Sequence, residues 1–349
     1  MNDAGSRRRI LSHLGPFFGL FLVVTLFASG LAVTDVADQR KKEGEGWLAA
    51  SRKCSYDGFK AFISVSNIKT VLVQTVIVAL GALGMTVVIV SGGIDLSAGS
   101  SVALTSVLAA TLLVKGLPPA LAIALTLLAG GVIGLVNGSL IAWLRMIPFI
   151  VTLGMMGVCR GMAKWVADNQ TVNAPEGAKV SDLMMSEDLE HLLPLPAGVW
   201  LALVLAVVLW VVMRQTVFGR YVFALGSNEV ASRLSGIRVE VQKVLVYSLA
   251  GLFFGCAGLM QMARLSQGDP SGAVGLELDM IAAVVIGGAS LSGGTGSVLG
   301  SMIGALVIQT LRNGSSLMNW PTFTQEIIIG AVIILAVGLD RWRQSRAKG

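Results

Sequence analysis

Long apolar runs separated by short polar breaks dominate the chain. They cover residues 14–33 and, approximately, 70–90, 98–114, 119–142, 147–166, 197–213, 244–263, 280–291, 297–311 and 324–339. A helix needs about 20 mainly apolar residues to cross the roughly 30 Å hydrocarbon layer of a bilayer, and most of these runs come near that length. The pattern predicts an all-α polytopic membrane protein with about ten transmembrane helices, forming a single transmembrane domain over residues 1–349. The run at 280–291 is short unless the glycine-rich sequence behind it lies at membrane depth, where irregular backbone survives only against protein or a wet cavity. Arg7, Arg8 and Arg9 precede the first run as in a signal peptide, but that run has spanning length and reads as a retained helix.

Lys and Arg placement orients the spans, because basic residues concentrate in cytoplasmic loops. Arg7, Arg8, Arg9, Arg145, Arg214, Arg220, Arg233, Arg238, Lys243, Arg341, Arg343, Arg346 and Lys348 then fall inside, with both termini cytoplasmic. Short external loops hold only Lys115, Lys179, Arg264 and Arg312. The long external segment at 34–69 runs against the rule with Arg40, Lys41, Lys42, Arg52, Lys53, Lys60 and Lys69. A second external loop covers 168–196, and a cytoplasmic loop covers 214–243.

Composition agrees with the membrane reading. Hydrophobic residues make up 54% and charged residues 13% of the 349, where a soluble domain carries about 25% charge. The 42 glycines suit close helix packing through small side chains. Basic inner loops account for the net charge of +6, and no basic, aromatic surface points to nucleic acid. Cys54, Cys159 and Cys256 form no disulfide framework or metal-ligand spacing, and His13 and His191 stand alone near segment ends. No GxSxG, HExxH or Walker A lysine loop occurs, so nothing here predicts an enzyme or a bound cofactor. Any ATP energy must come from another subunit.

Three stretches carry candidate chemistry. The polar island at 219–237 holds Arg220, Glu229 and Arg233, with Arg238 just beyond. Ser227 or Asn228 can cap a short helix there, Ala231 and Leu234 give it one apolar side, and Gly236 supplies a left-handed stop. Such a helix can dock a soluble partner, or the loop can simply join two spans. The second stretch is Gly92-Gly-Ile-Asp-Leu-Ser-Ala-Gly99, which interrupts apolar sequence and is echoed by Gly287-Gly-Ala-Ser-Leu-Ser-Gly-Gly294. Transporters often place broken helices at corresponding positions of two halves. Asp95 reads as either an intramembrane functional acid or, with Ser97, a cap for the next helix. In the third, Arg160 and Lys164 share a face of the fifth span, Lys164 snorkelling outward and Arg160 facing a cavity or an acidic partner. Asn137, inside an apolar run, fits inter-helix hydrogen bonding or contact with a sugar hydroxyl.

Together, the Gly92–Gly99 motif, the 218–237 loop and the 286–297 segment resemble the ribose-type monosaccharide ABC transporter permeases, from about Asn67 to the C-terminus. The resemblance implies a bacterial inner-membrane importer with two permease subunits, this chain twice or with a sister chain. Two ATPase subunits carrying ATP and Mg would dock beneath, and a periplasmic binding protein would deliver the sugar. In that reading Gly226, Ser227, Asn228, Glu229, Ala231, Arg233, Leu234 and Gly236 form the ATPase-coupling helix. Gly92, Gly93, Asp95, Ser97, Gly99, Asn137, Gly287, Gly288 and Ser290 lie along or near the pathway. The chain departs from the family around 38–60, where the first external loop is extended. The alternative is an ion-coupled secondary transporter, which would need buried ionisable groups; only Asp95 and Arg160 qualify in sequence.

Overall fold

The computed structural model describes residues 19–21, 23–25, 60, 62–175, 180, 182–185 and 195–347. The predicted first span is helical at 19–21 and 23–25; of the expected 34–69 loop, 34–59 and 61 lie outside the described residues, while 65–69 already belong to the helix that starts at Val65. The remaining helices in order are α1 (Val65–Val90), α2 (Ala98–Val114), α3 (Pro119–Trp143), α4 (Pro148–Val166), α5 (Asp182–Met185), α6 (Ala197–Gln215), α7 (Val217–Ser227), α8 (Glu229–Leu234), α9 (Val239–Leu265), α10 (Leu276–Ile286), α11 (Val298–Leu317) and α12 (Thr322–Ala347). Two short strands, β1 (Val172–Asn173) and β2 (Gln267–Gly268), pair antiparallel and join two loops at one end of the bundle. The chain is thus an all-α polytopic protein apart from that bridge. Among the described residues, α1, α3, α4, α6 and α9 are long and apolar enough to cross a membrane.

Helix α1 is the axis of the fold. Ser64 caps it by accepting from the Asn67 N–H at 3.2 Å, and every residue from Thr75 to Val90 is buried. A helix apolar on all sides can be enclosed completely, and α1 is surrounded by α6, α9, α10 and α11. The most extensive pairing is α3 against α9. Gly130, Gly134 and Gly138 recur every fourth residue on α3 and meet the α9 backbone at Gly251 and Gly255, at Tyr247 and Gly251, and at Lys243 and Val244 respectively. A Cβ at Gly134 would strike the Tyr247 carbonyl oxygen, so only glycine permits this approach.

The sequence expectations need two amendments here. Arg312, expected in an external loop, lies inside α11, where it makes a two-pronged pair with the buried Asp279 of α10: Nε to Oδ2 at 3.0 Å and Nη2 to Oδ1 at 2.9 Å. The polar character of α11 had shortened the predicted span at residue 311. The connection after α9, expected as an external loop, is also not a simple surface loop. Gly268 packs on Ser106 and Val107 of α2, and a Cβ on Gly99 would lie 2.7 Å from the Ala273 carbonyl oxygen. The segment therefore runs back along α2 from Val107 toward its start, and α10 begins within the bundle with only 11 residues. Irregular backbone flanks α10 at both ends.

These contacts predict stability effects. Gly134→Ala should cost about 1–3 kcal/mol through overpacking, while Gly131→Ala, whose Cβ meets only the flexible Leu252 side chain at 3.0 Å, should cost less; thermal melting of the detergent-solubilised protein separates them. Arg312→Met should destabilise by about 3–5 kcal/mol because it leaves Asp279 buried and unpaired. The double variant Arg312→Met/Asp279→Leu should recover most of that loss in the same assay.

Candidate functional site

The 219–237 island folds as two helices meeting at a sharp corner. Thr216 caps α7 by accepting from the Gly219 N–H at 3.3 Å. Of the two expected caps, Asn228 takes the role: its backbone is extended, and its Oδ1 accepts from the Ala231 N–H at 2.9 Å. Ser227 is the last residue of α7. Helix α8 ends at Gly236, whose φ of +85° lets Gly236 and Ile237 donate to the carbonyls of Arg233 and Ser232, both at 3.1 Å.

The faces of α8 are divided by what each residue touches. Ser232 is its buried residue and turns toward the bundle. Ala231 is exposed, as is Leu234 at 84%, and Val230, which the sequence reading passed over, is 69% exposed. Val230 and Leu234 stand four apart and share a face, a spacing that was readable in the sequence. The charged residues instead hold the corner to its own chain. Glu229 pairs with Lys243 at 2.8 Å and with Arg233 at 3.7 Å, and Arg233 also pairs with Glu240. The hydrogen bond to Glu240 raises the Arg233 pKa further above its ordinary value. Beside them lies a cavity of about 440 Å³ lined by Ile141, Arg145, Glu229, Arg233, Glu240 and Lys243, among others. Arg145, Arg233 and Lys243, which the charge rule assigns to one membrane side, thus share a single cleft.

The two echoed motifs take up the same local turn. In the first, Asp95 Oδ1 accepts from the Ser97 N–H at 2.8 Å; in the second, Ser290 Oγ accepts from the Ser292 N–H at 3.2 Å. Each follows a helix ended by a left-handed glycine, Gly92 at φ +86° and Gly288 at +90°. Ser97 Oγ also donates to Asp95 at 2.6 Å, and Asn137 reaches across from α3 to donate to Ser97 Oγ at 3.0 Å and toward Asp95 Oδ2 at 3.4 Å. Asp95, Ser97 and Asn137 are each no more than 1% exposed. This trio ties irregular backbone to α3, with Asn137 Oδ1 left buried and without a hydrogen-bond partner. Asp95 serves a turn before α2 rather than capping that helix directly. Gly93, Gly99, Gly287 and Ser290 are also enclosed, whereas Gly92, beside Gly226, and Gly288 are exposed.

Among the described residues Arg160 forms no ion pair. Its Nη1 donates to the carbonyls of Pro270, at 3.0 Å, and Gly272, holding the inward-running 266–275 segment against α4. Those carbonyls have left regular helix and need donors, which sequence spacing gave no means of foreseeing.

The model of the family described as branched-chain amino acid transport system / permease component matches residues 67–337. The ribose import permease protein of Escherichia coli strain K12 is 41% identical over 283 residues, covering 81% of this chain and 88% of the relative. The chain belongs to the ribose-type ABC transporter permeases. The permease is also 40% identical over 333 residues to the ribose import permease protein of Bacillus subtilis strain 168, covering 95% of this chain and 94% of the relative. The galactose/methyl galactoside import permease protein of E. coli K12 is 34% identical over 301 residues, covering 82% and 90%. No solved structure matches the chain.

For the trio, Asp95→Ala should remove about 1–3 kcal/mol of stability by leaving the Ser97 N–H and hydroxyl without their acceptor. Asp95→Asn, which keeps an acceptor for the Ser97 N–H, should lose less. Melting curves of the solubilised permease provide the comparison.

Proposed function

We propose that the permease is the membrane subunit of an ATP-driven importer that carries a monosaccharide across the bacterial inner membrane. The observation that carries this reading is α8: a capped helix held to the bundle by ion pairs, with Val230 and Leu234 exposed, in a chain that has no nucleotide-binding loop of its own. Relatives named for ribose, galactose/methyl galactoside, L-arabinose and D-allose point to a monosaccharide as the class of cargo. The ATPase subunits would bring ATP and Mg, a periplasmic binding protein would deliver the sugar, and a second permease, identical or a sister chain, would complete the pathway. In this reading both termini are cytoplasmic and about ten spans cross the membrane.

The coupling residues then divide by task. Asn228 and Gly236 shape α8. Glu229 and Arg233 fasten it through Lys243 and Glu240, while Ala231, Leu234 and Val230 face the ATPase. ATP-driven closure of the ATPase pair would push on α8, and the spans would swing between inward and outward openings. Asp95, Ser97 and Asn137 stiffen the wall behind the pathway, and Gly92, Gly93, Gly99, Gly287, Gly288 and Ser290 shape the irregular backbone there.

Proteoliposomes containing the permease, its ATPase and its binding protein should take up sugar only with ATP inside the ATPase-facing compartment. Uptake driven by an ion gradient alone would overturn the reading. Leu234→Glu combined with Val230→Glu should abolish ATPase co-purification, a loss of more than about tenfold in affinity for a buried apolar contact turned charged, with membrane insertion unchanged. Wild-type co-purification by that variant would return α8 to a plain connecting loop.

A further inference from the structure

Three glycines from separate parts of the chain meet backbone to backbone. A Cβ on Gly293 would lie 2.9 Å from the Gly92 Cα and 2.7 Å from the Gly226 carbonyl oxygen. One on Gly226 would strike the Val90 carbonyl oxygen and lie 2.5 Å from the Gly294 nitrogen. The Gly294 N–H donates to that same Val90 carbonyl at 2.9 Å. Gly294 in turn abuts Ser227, with a Cβ there falling 2.5 Å from Ser227 Oγ. Gly92, Gly293 and Gly294 have φ of +86°, +83° and +74°, conformations that glycine adopts without strain.

The elements joined here have different duties. Val90 and Gly92 close α1, the buried axis of the bundle. Gly293 and Gly294 belong to the loop between α10 and α11, and Gly226 lies at the end of α7, just ahead of the Asn228 corner and α8. No side chain is interposed among them, so little can yield when α8 is displaced. Close-packed elements pass on displacements of about 1 Å rather than absorb them. The ion pairs of α8, through Lys243 and Glu240, lead to the first turns of α9.

We propose that this three-way glycine junction transmits movement of α8 to α1 and to the α10–α11 loop, making Gly226, Gly293 and Gly294 positioning residues for coupled transport. The assignment rests on the ATP-driven permease reading. In the reconstituted complex the quantity to measure is sugar transported per ATP hydrolysed, alongside ATPase co-purification. Gly226→Ala and Gly293→Ala should retain the ATPase and its hydrolysis while the transport ratio falls by about tenfold, a usual size for coupling between sites. Gly116→Ala, in the turn between α2 and α3, puts the same strain on a left-handed glycine where nothing lies within 4 Å and should keep the wild-type ratio. Should the first two variants not accumulate, Gly294→Ala presses mainly on the Ser227 hydroxyl, and adding Ser227→Ala should restore part of the lost ratio. Hydrolysis and uptake falling in parallel, or no rescue by Ser227→Ala, would reduce the junction to packing. Wild-type uptake without ATP would instead overturn the permease reading itself.

Discussion

Backbone N–H and C=O groups that leave a helix inside a bilayer have no water to turn to, and the architecture follows from how this chain answers that demand. Each interruption is satisfied from within the protomer. Past α1, Gly92 and Gly93 donate back to the carbonyls of Ile89 and Val88, and Asp95 then holds the Ser97 N–H. Past α10, Gly288 and Ala289 donate to Val285 and Val284, and Ser290 holds Ser292. The segment running back along α2 is served by Arg160, a cation stationed on α4 to receive its carbonyls. Asp95, Ser290 and Arg160 thus serve irregular backbone, whereas most buried Ser and Thr hydroxyls donate to carbonyls of their own helices.

That use of polar groups leaves helix association to shape. Apolar side chains gain little by leaving lipid for protein, so close approach and van der Waals contact decide which helices pair. Glycine backbones bring α3 onto α9, α10 onto α11, and the ends of α1 and α7 onto the α10–α11 loop. The buried Asp279–Arg312 pair adds a directional clamp between α10 and α11. Short α10 is held by backbone contact at one end and by charge nearer its start, which allows irregular chain on both sides of it.

The corner between α7 and α8 combines the two strategies. Its outward face is apolar and uncommitted, its charges are paired with α9, and its root is the glycine junction. Glu229 and Arg233 look in sequence like surface charges awaiting a partner. Their partners in the structure are Lys243 and Glu240, because α9 begins close beside α8 and brings those side chains within reach.

Local chemistry was legible in the sequence. The Gly236 stop, a cap at Ser227 or Asn228 and the membrane class could be read from it, whereas the turn that Asp95 holds ahead of α2 read as a cap of that helix. Families of motifs read the same way, and the family match begins at residue 67, where the resemblance had placed it. What lay deeper was settled only in three dimensions. Helices α1 and α3 are almost equally apolar, yet α1 is enclosed along most of its span while α3 turns Leu128, Val132 and Leu135 outward. Since lipid and protein interior are similar solvents for apolar side chains, hydropathy cannot distinguish the core from the rim. Arg160 and Arg312 had partners more than 30 residues away, and the three glycines of the junction are spread from residue 92 to 293. The sequence by itself determined that the chain crosses a membrane and where it is interrupted; packing decided which interruptions meet, because contacts between distant glycines leave no periodic or compositional trace.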